Sequence, residues 1–335
     1  MKKYLLPCEG SFFKANLHCH STFSDGRWTP REIKENYKKH GYSVIAYTDH
    51  NVLVPHSELN DEKFLALNGF EININEENYP HKHAKTCHLC MIALDPENVT
   101  QPCWHRTEYL KAHQEEFKHL IKFDETKPDV KRVYNSECIN GIIKEGRECG
   151  FFVTYNHPTW SGETYESYIK YEGMNAMEIC NYECICIGHD EHNGRVYDEM
   201  LKKGKRIYCV ATDDNHNKPG LAGESYGAFT VIKAEKLEYK TITDALLNGN
   251  FYASEGPEIK ELWFEDGKVY IEFSPAREAF ITNGNRKVAR IKGENGELIT
   301  SACFNVEEDD EFFRITVEAS DGKRAYTNAY FTDTL

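Results

Sequence analysis

The sequence predicts an α/β fold, a barrel-sized series of parallel strands followed by a small antiparallel β domain. Three observations lead there. Short β-like runs alternate with helix-like stretches over the first 255 of the 335 residues. The helix-like stretches carry caps or terminating glycines, and each leads into a strand candidate. After Gly256-Pro257 the texture changes to alternating runs joined by tight-turn dipeptides.

In order, the strand candidates occupy residues 15–20, 42–48, 68–72, 87–94, 151–155, 176–180 and 207–212, seven in all. Thr29-Pro30-Arg31-Glu32 predicts a helix start: threonine caps free backbone N–H groups, proline suits the first helical position and an acid favours the first turn. Gly41 is the matching stop. A second helix is expected over 136–149 before Gly150, and a third over 197–203 before Gly204. Residues 95–135 are too long for an ordinary connection and carry a charged helical segment over 109–121. They read as an insertion near the site, with the character of a lid. In the tail, Asp266-Gly267, Asn283-Gly284, Asn295-Gly296 and Asp321-Gly322 tolerate positive φ and signal hairpins. The expected division is 1–255 and 256–335, closely packed.

Hydrophobic residues make up 40% and aromatics 13%, enough for a sizeable core, and no apolar run is long enough to span a membrane. The apolar run near the N-terminus is too short for a secretory signal, so the expected location is cytoplasmic and the 12 cysteines are expected to be reduced. A net charge of −14 opposes attraction to nucleic acid or an anionic membrane. A small anionic substrate can still bind if local cations offset the repulsion.

The chemistry-bearing residues fall at strand ends. His18 and His20 stand two apart, so strand geometry points both imidazoles to one face, and Asp25 follows on a turn that Gly26 tightens. The second strand ends Thr48-Asp49-His50, the third contains Gly69-Phe70-Glu71, the fourth opens at His88, the fifth is followed by Asn156-His157-Pro158 and the seventh by Asp213-Asp214-Asn215-His216. In a parallel barrel the C-terminal strand ends converge on one face. His81 and His83 compete with His88; Asp213 competes with Asp214, whose spacing of two to His216 favours it. Asp49 is expected to orient an imidazole. Asn156, Glu178 and Asn181 stand after strands, placed either to line a pocket or, the preferred reading, to be ordinary polar residues at the surface.

The order His18-x-His20, Asp25-Gly26, Thr48-Asp49-His50, Gly69-x-Glu71, His88-Leu89, His157-Pro158, Asp214-x-His216 resembles the PHP (polymerase and histidinol phosphatase) superfamily over roughly residues 14–217. Phe251-Tyr252-Ala253-Ser254-Glu255-Gly256-Pro257, Arg314-Ile315-Thr316-Val317 and Ala325-Tyr326-Thr327-Asn328 resemble the ending of PHP proteins with an appended β domain. The resemblance implies a distorted (β/α)7 barrel with a trinuclear site. It implies one metal on His18, His20, Glu71 and Asp214, a second on Glu71, His88 and His157, and a third on Asp25, His50 and His216, with Glu71 bridging the first two. Glu71, Asp214 and His216 are the residues expected to serve the reaction directly.

The activity implied by the resemblance is hydrolysis of a small phosphoester by a metal-bridging hydroxide. The imidazole-rich set suits Zn, Mn or Fe better than Mg. Alternatives are a histidinol-phosphatase-like specificity, from whose compact form the insertion and tail depart, and a non-catalytic metal-binding or interaction module. An exonuclease would need a basic track for the strand, and none is visible.

Several features are set aside. Cys87-His88-Leu89-Cys90 lacks a second pair and splits across the two faces of a strand; Cys180, Cys184, Cys186, His189 and His192 fit no standard zinc spacing. His105, His113 and His119 are placed either to touch a substrate phosphate or, the commoner case, to face solvent, while Arg27 and Lys218 are placed either to meet a phosphate or to sit in solvent.

Overall fold

The computed structural model describes residues 2–77, 79, 83–218 and 223–335. In chain order the elements are β1 (Lys3–Tyr4), β2 (Ser11–Asn16), α1 (Pro30–Lys39), β3 (Tyr42–Tyr47), β4 (Leu65–Asn75), β5 (Thr86–Ala93), α2 (Ser136–Glu148), β6 (Phe151–Tyr155), α3 (Tyr165–Tyr168), β7 (Ala176–Asn181), α4 (Tyr182–Cys186), α5 (Gly194–Lys202), β8 (Tyr208–Thr212), β9 (Phe229–Ala234), α6 (Tyr239–Leu247) and β10 (Phe251–Ser254). The tail adds β11 (Ile259–Glu265), β12 (Lys268–Ala276), β13 (Glu278–Asn283), β14 (Val288–Lys292), β15 (Ile299–Asn305), β16 (Phe312–Glu318), β17 (Arg324–Thr327) and β18 (Tyr330–Phe331).

Helix α1 begins as its sequence requires. The Thr29 hydroxyl accepts from Glu32 N, and the Glu32 carboxylate accepts from Thr29 N at 2.8 Å, so each residue satisfies a donor the helix cannot. Its buried face, Ile33 and Tyr37, packs on β3. Helix α2 is capped by Asn135, which accepts from Cys138 N at 2.8 Å. The segment expected as a helix over 109–121 forms a 3-10 helix over Ala112–Leu120.

The large sheet runs β14-β13-β16-β17-β10-β9-β2-β3-β4-β5-β6-β7-β8, with β18 on β16; a second sheet runs β1-β11-β12-β15. β2, β3 and β4 are parallel, as are β6, β7 and β8. The expectation of an all-parallel first unit is corrected, because β5 is antiparallel to both β4 and β6, and β9 is antiparallel to β2 and β10. The cause is local for β5. Residues 76–85 are too few for the crossover helix that a parallel return requires, so β4 folds back on itself. β9, α6 and β10 were not anticipated. No ladder joins β8 to β2 among the described residues; the segments beyond their ends meet at a single bridge, Cys19 to Asn215. The fold is therefore mixed α/β with a large sheet and a C-terminal antiparallel sheet.

In the tail, Leu262, Val269, Ile271 and Phe273 of the small sheet pack on Ala279, Ile281, Phe313, Ile315 and Val317 of the large one, the interior of two facing sheets. Asp266 and Gly267, both at positive φ, make the β11–β12 turn that this dipeptide predicts. Phe312 and Tyr326 join the core that includes Tyr197 and Met200 of α5. β1 pairs with β11, and Tyr330 Oη donates to Leu5 O at 3.2 Å, so both ends of the chain lie on the tail sheets. No helix among the described residues is long and apolar enough to cross a membrane.

Candidate metal centre

Six chain segments deliver the site. His18 and His20 lie past the end of β2, not on it as the strand assignment expected. They stay extended because His20 N donates to Asn215 O (3.1 Å) and Asp214 N donates to His18 O (3.0 Å). His50 follows β3, Glu71 lies within β4, His157 follows β6, and Asp214 and His216 follow β8. Because β5 is reversed, its first residues fall at the carboxyl-end face of its neighbours, which carries His88 to the site. Asp25 sits on a turn where a Cβ on Gly26 would be 2.3 Å from His20 O, so only glycine lets the turn close. His157 (φ 25°) and Asp214 (φ 53°) hold left-handed backbone, strain worth roughly 1–3 kcal/mol each.

These side chains form one continuous cluster. His18 Nε2 and His20 Nε2 are 3.1 Å apart, and they lie 3.1 and 3.0 Å from Asp214 Oδ1. Glu71 stands at the centre. Its Oε1 is 2.9 Å from His88 Nδ1 and 3.3 Å from both His157 Nε2 and His18 Nε2; its Oε2 is 2.8 Å from His50 Nδ1 and 3.5 Å from His20 Nε2. His216 Nε2 and His50 Nε2 reach Asp25 Oδ1 at 3.3 and 3.7 Å. His50 thus spans the Asp25 and Glu71 groups.

Without a cation this cluster is electrostatically incomplete. Glu71 Oε2, Asp214 Oδ1, Asp25 Oδ1 and His50 Nδ1 are buried with no hydrogen-bond partner, an arrangement that is costly unless something charged satisfies them. Burial pushes the Asp214 carboxyl up to about 6 and His88 down to about 4. Burial also opposes the Asp25 carboxylate, yet the imidazoles of His216, His20 and His50 around it hold it well below the usual range. His20, buried beside His216 and His50, is lowered as well. Crowded imidazoles facing orphaned carboxylate oxygens fit divalent cations in both donor type and charge.

In structure the chain is similar to several solved proteins at low sequence identity. It covers 98% of a two-domain Bacteroides vulgatus protein containing a PHP-like metal-dependent phosphoesterase, itself so named by prediction, over 98% of its own length, at 15% identity and TM-score 0.45. A Bifidobacterium adolescentis protein provisionally named a metal-dependent phosphoesterase matches 64% of the chain and 93% of its own, at 17% identity and TM-score 0.40. A Chromobacterium violaceum amidohydrolase with bound sulfate and no metal matches 62% and 88%, at 17% and 0.36. No family model and no curated protein matches the chain.

Around the cluster lies a shell that sequence reasoning misjudged. Glu178, Asn156 and Asn181, expected to face solvent, are fully buried. Glu178 accepts from His18 Nδ1 (2.7 Å), His157 N (2.9 Å), Thr212 Oγ1 (2.6 Å) and Asn181 Nδ2 (2.9 Å), which fixes two of the imidazole-bearing segments at once. Asn181 also donates to Asp214 Oδ2, and Asn156 to Glu71 Oε1. Asp49 acts on His20 indirectly: it accepts from Ser24 Oγ at 2.6 Å, and that hydroxyl accepts from His20 Nδ1 at 3.3 Å. Asp213 turns away and accepts from the backbone N–H groups of Tyr226, Gly227 and Ala228. His83 is exposed, and His81 lies outside the described residues.

The insertion docks on the site's rim. Gln114 Nε2 donates to Phe23 O (3.1 Å) and His50 O (2.7 Å), His113 bonds Ser24 O, and Lys111 Nζ is 3.0 Å from Asp25 Oδ2. Lys218 Nζ approaches the same oxygen at 3.8 Å, whereas Arg27 is exposed. His105 pairs loosely with Asp129, and His119 donates to Glu116 O. Among the cysteines set aside, Cys180 and Cys184 are buried while Cys186 is exposed, and His192 pairs with Glu255. Two cavities, about 190 Å³ under Trp104 and about 430 Å³ between α5 and the tail strands, are lined by none of the nine side chains.

Proposed function

We propose that this chain hydrolyses a small phosphoester at a divalent-metal centre of the PHP type. One observation carries the reading: nine metal-capable side chains from separate segments converge in a buried cluster that leaves carboxylate oxygens without hydrogen-bond partners. His18, His20, Glu71 and Asp214 would hold one ion, Glu71, His88 and His157 a second, and Asp25, His50 and His216 a third. Divalent ions supply Lewis acidity there, polarising a phosphoryl oxygen and making water a nucleophile at neutral pH.

The protein's own residues supply the rest. Glu71, with one oxygen toward His88 and His157 and the other toward His50 and His20, ties the groups together. Asp214 and His216 share one turn, so they hold two groups in fixed relation. Lys111 and Lys218 place positive charge at the mouth, where an anionic ester enters a chain of net charge −14. Trp160 packs edge-on against His88 and His157, ring centroids 5.4 and 4.9 Å away, and shields that wall from water. The imidazole-rich donors favour Zn, Mn or Fe, and the free cysteines suit a reducing, cytoplasmic setting.

The test is a phosphate-release screen over sugar phosphates, nucleotides and histidinol phosphate, with metal content measured on the same sample. Two or more ions per chain are expected, with activity lost on chelation and restored by Mn or Zn. His18→Ala with His20→Ala should lower phosphate release by at least ~10²-fold. Bound metal without release of phosphate from any substrate would favour a non-catalytic module; unchanged release in the double variant would overturn the site.

A further inference from the structure

Side chains alternate along β5, so His88 and Cys90 share one face while Cys87 takes the other. Cys87 packs into the core with Ile72 and Ile74. Cys90 stands directly opposite Glu71 in the β4–β5 ladder, fully buried, and its Sγ, a ring nitrogen of His18 and a carboxylate oxygen of Glu71 lie within 4.8 Å of one another. The Asn156 amide uses its two N–H groups on this wall, one toward Glu71 Oε1 (3.2 Å) and one toward Cys90 Sγ (3.0 Å). The sulfur is therefore placed as an acceptor, the role of a thiolate on a metal, where hydrogen bonds to sulfur tune the site. Independently, Glu71 Oε2 and Asp214 Oδ1 are buried in the same cluster with no hydrogen-bond partner and only imidazole nitrogens beside them, and His18, which neighbours Cys90, is one of those that flank Asp214 Oδ1.

We propose that Cys90 is a metal ligand, a tenth donor that adds sulfur to the His/carboxylate set between His18 and Glu71. The inference rests on the metal-centre reading above and sharpens it. A thiolate is soft, so the position beside Cys90 selects Zn, Fe or Co over Mg and Mn; the thiol proton leaves to solvent as the cation arrives.

Cobalt(II) is the probe. The Co(II)-loaded full chain should show visible d–d bands together with a sulfur-to-cobalt charge-transfer band in the near ultraviolet. Cys90→Ser should lose the charge-transfer band and keep the d–d bands, and Cys87→Ser should keep both. A wild-type spectrum with d–d bands and no charge-transfer band, or a charge-transfer band that persists in Cys90→Ser, overturns the ligand and leaves the metal centre standing; no d–d bands at all overturns both. Should Cys90→Ser fail to fold, X-ray absorption of the Zn-loaded wild type decides. A sulfur scatterer at about 2.3 Å is expected, and a shell of nitrogen and oxygen alone refutes the proposal.

Discussion

Glu178 sits where the positions of two imidazoles are decided. It holds His18 through a side-chain bond and His157 through the backbone, so Glu178→Gln, which keeps the shape but weakens the hydrogen bond from His18 Nδ1, should lower metal affinity by about 10–100-fold. Competition titration with a chromophoric chelator reads this directly, and an unchanged affinity would reduce Glu178 to packing. The metal-capable residues themselves were legible because the chemistry demands particular side chains at strand ends. Their supports were not, because Asn and Glu beside a strand end usually face water. A signal did exist for Glu178: it interrupts the apolar run Ala176-Met177-Glu178-Ile179-Cys180, where a charge has no ordinary reason to be. Asp49 reaches His20 through Ser24, a route that depends on a turn no pattern describes.

Strand and helix positions were largely readable, since periodicity, Thr29, Pro30 and the terminating glycines are local signals. Strand direction was not. β5 carries the same apolar run whichever way it points, and only the short 76–85 connection betrayed its reversal. Between elements, the contact of His192 Nε2 with Glu255 Oε1 at 3.1 Å ties the approach to α5 to the residue after β10. The hydrogen bond to Glu255 raises the imidazole above its usual value, with burial opposing. A raised folded-state value means the contact stabilises fully below the unfolded value of about 6.5 and is lost as pH climbs through the folded one. Melting temperature in the wild type should therefore fall more between about pH 6 and about pH 8 than in His192→Gln. Parallel slopes in the two proteins would show that the pair carries no linkage.

Across the whole molecule, Arg314 of β16 reaches Asp198 of α5 with Nε at 2.6 Å and Nη2 at 2.9 Å, a two-pronged contact with the arginine 5% exposed. Arg314→Ala leaves the partly exposed Asp198 carboxylate without its partner and should cost about 1–3 kcal/mol in urea denaturation; a loss under about 1 kcal/mol would mark the contact as a surface-type pair. The tail's β character was legible from its turn dipeptides, but its continuity with the first unit through β10 and β17 was not, because a strand's partner is not written in its own pattern. The pairing of β1 with β11 bears on how the chain acquires this shape. During synthesis β1 emerges first, yet its partner at residues 259–265 comes only roughly 10–50 s later at ordinary elongation rates. Loop-closure entropy makes so distant a pairing slow even afterward. The pairing is therefore expected to close late, like a latch, and pulse-labelling hydrogen exchange during refolding should find the amides of residues 3–4 protected only after those of the tail strands.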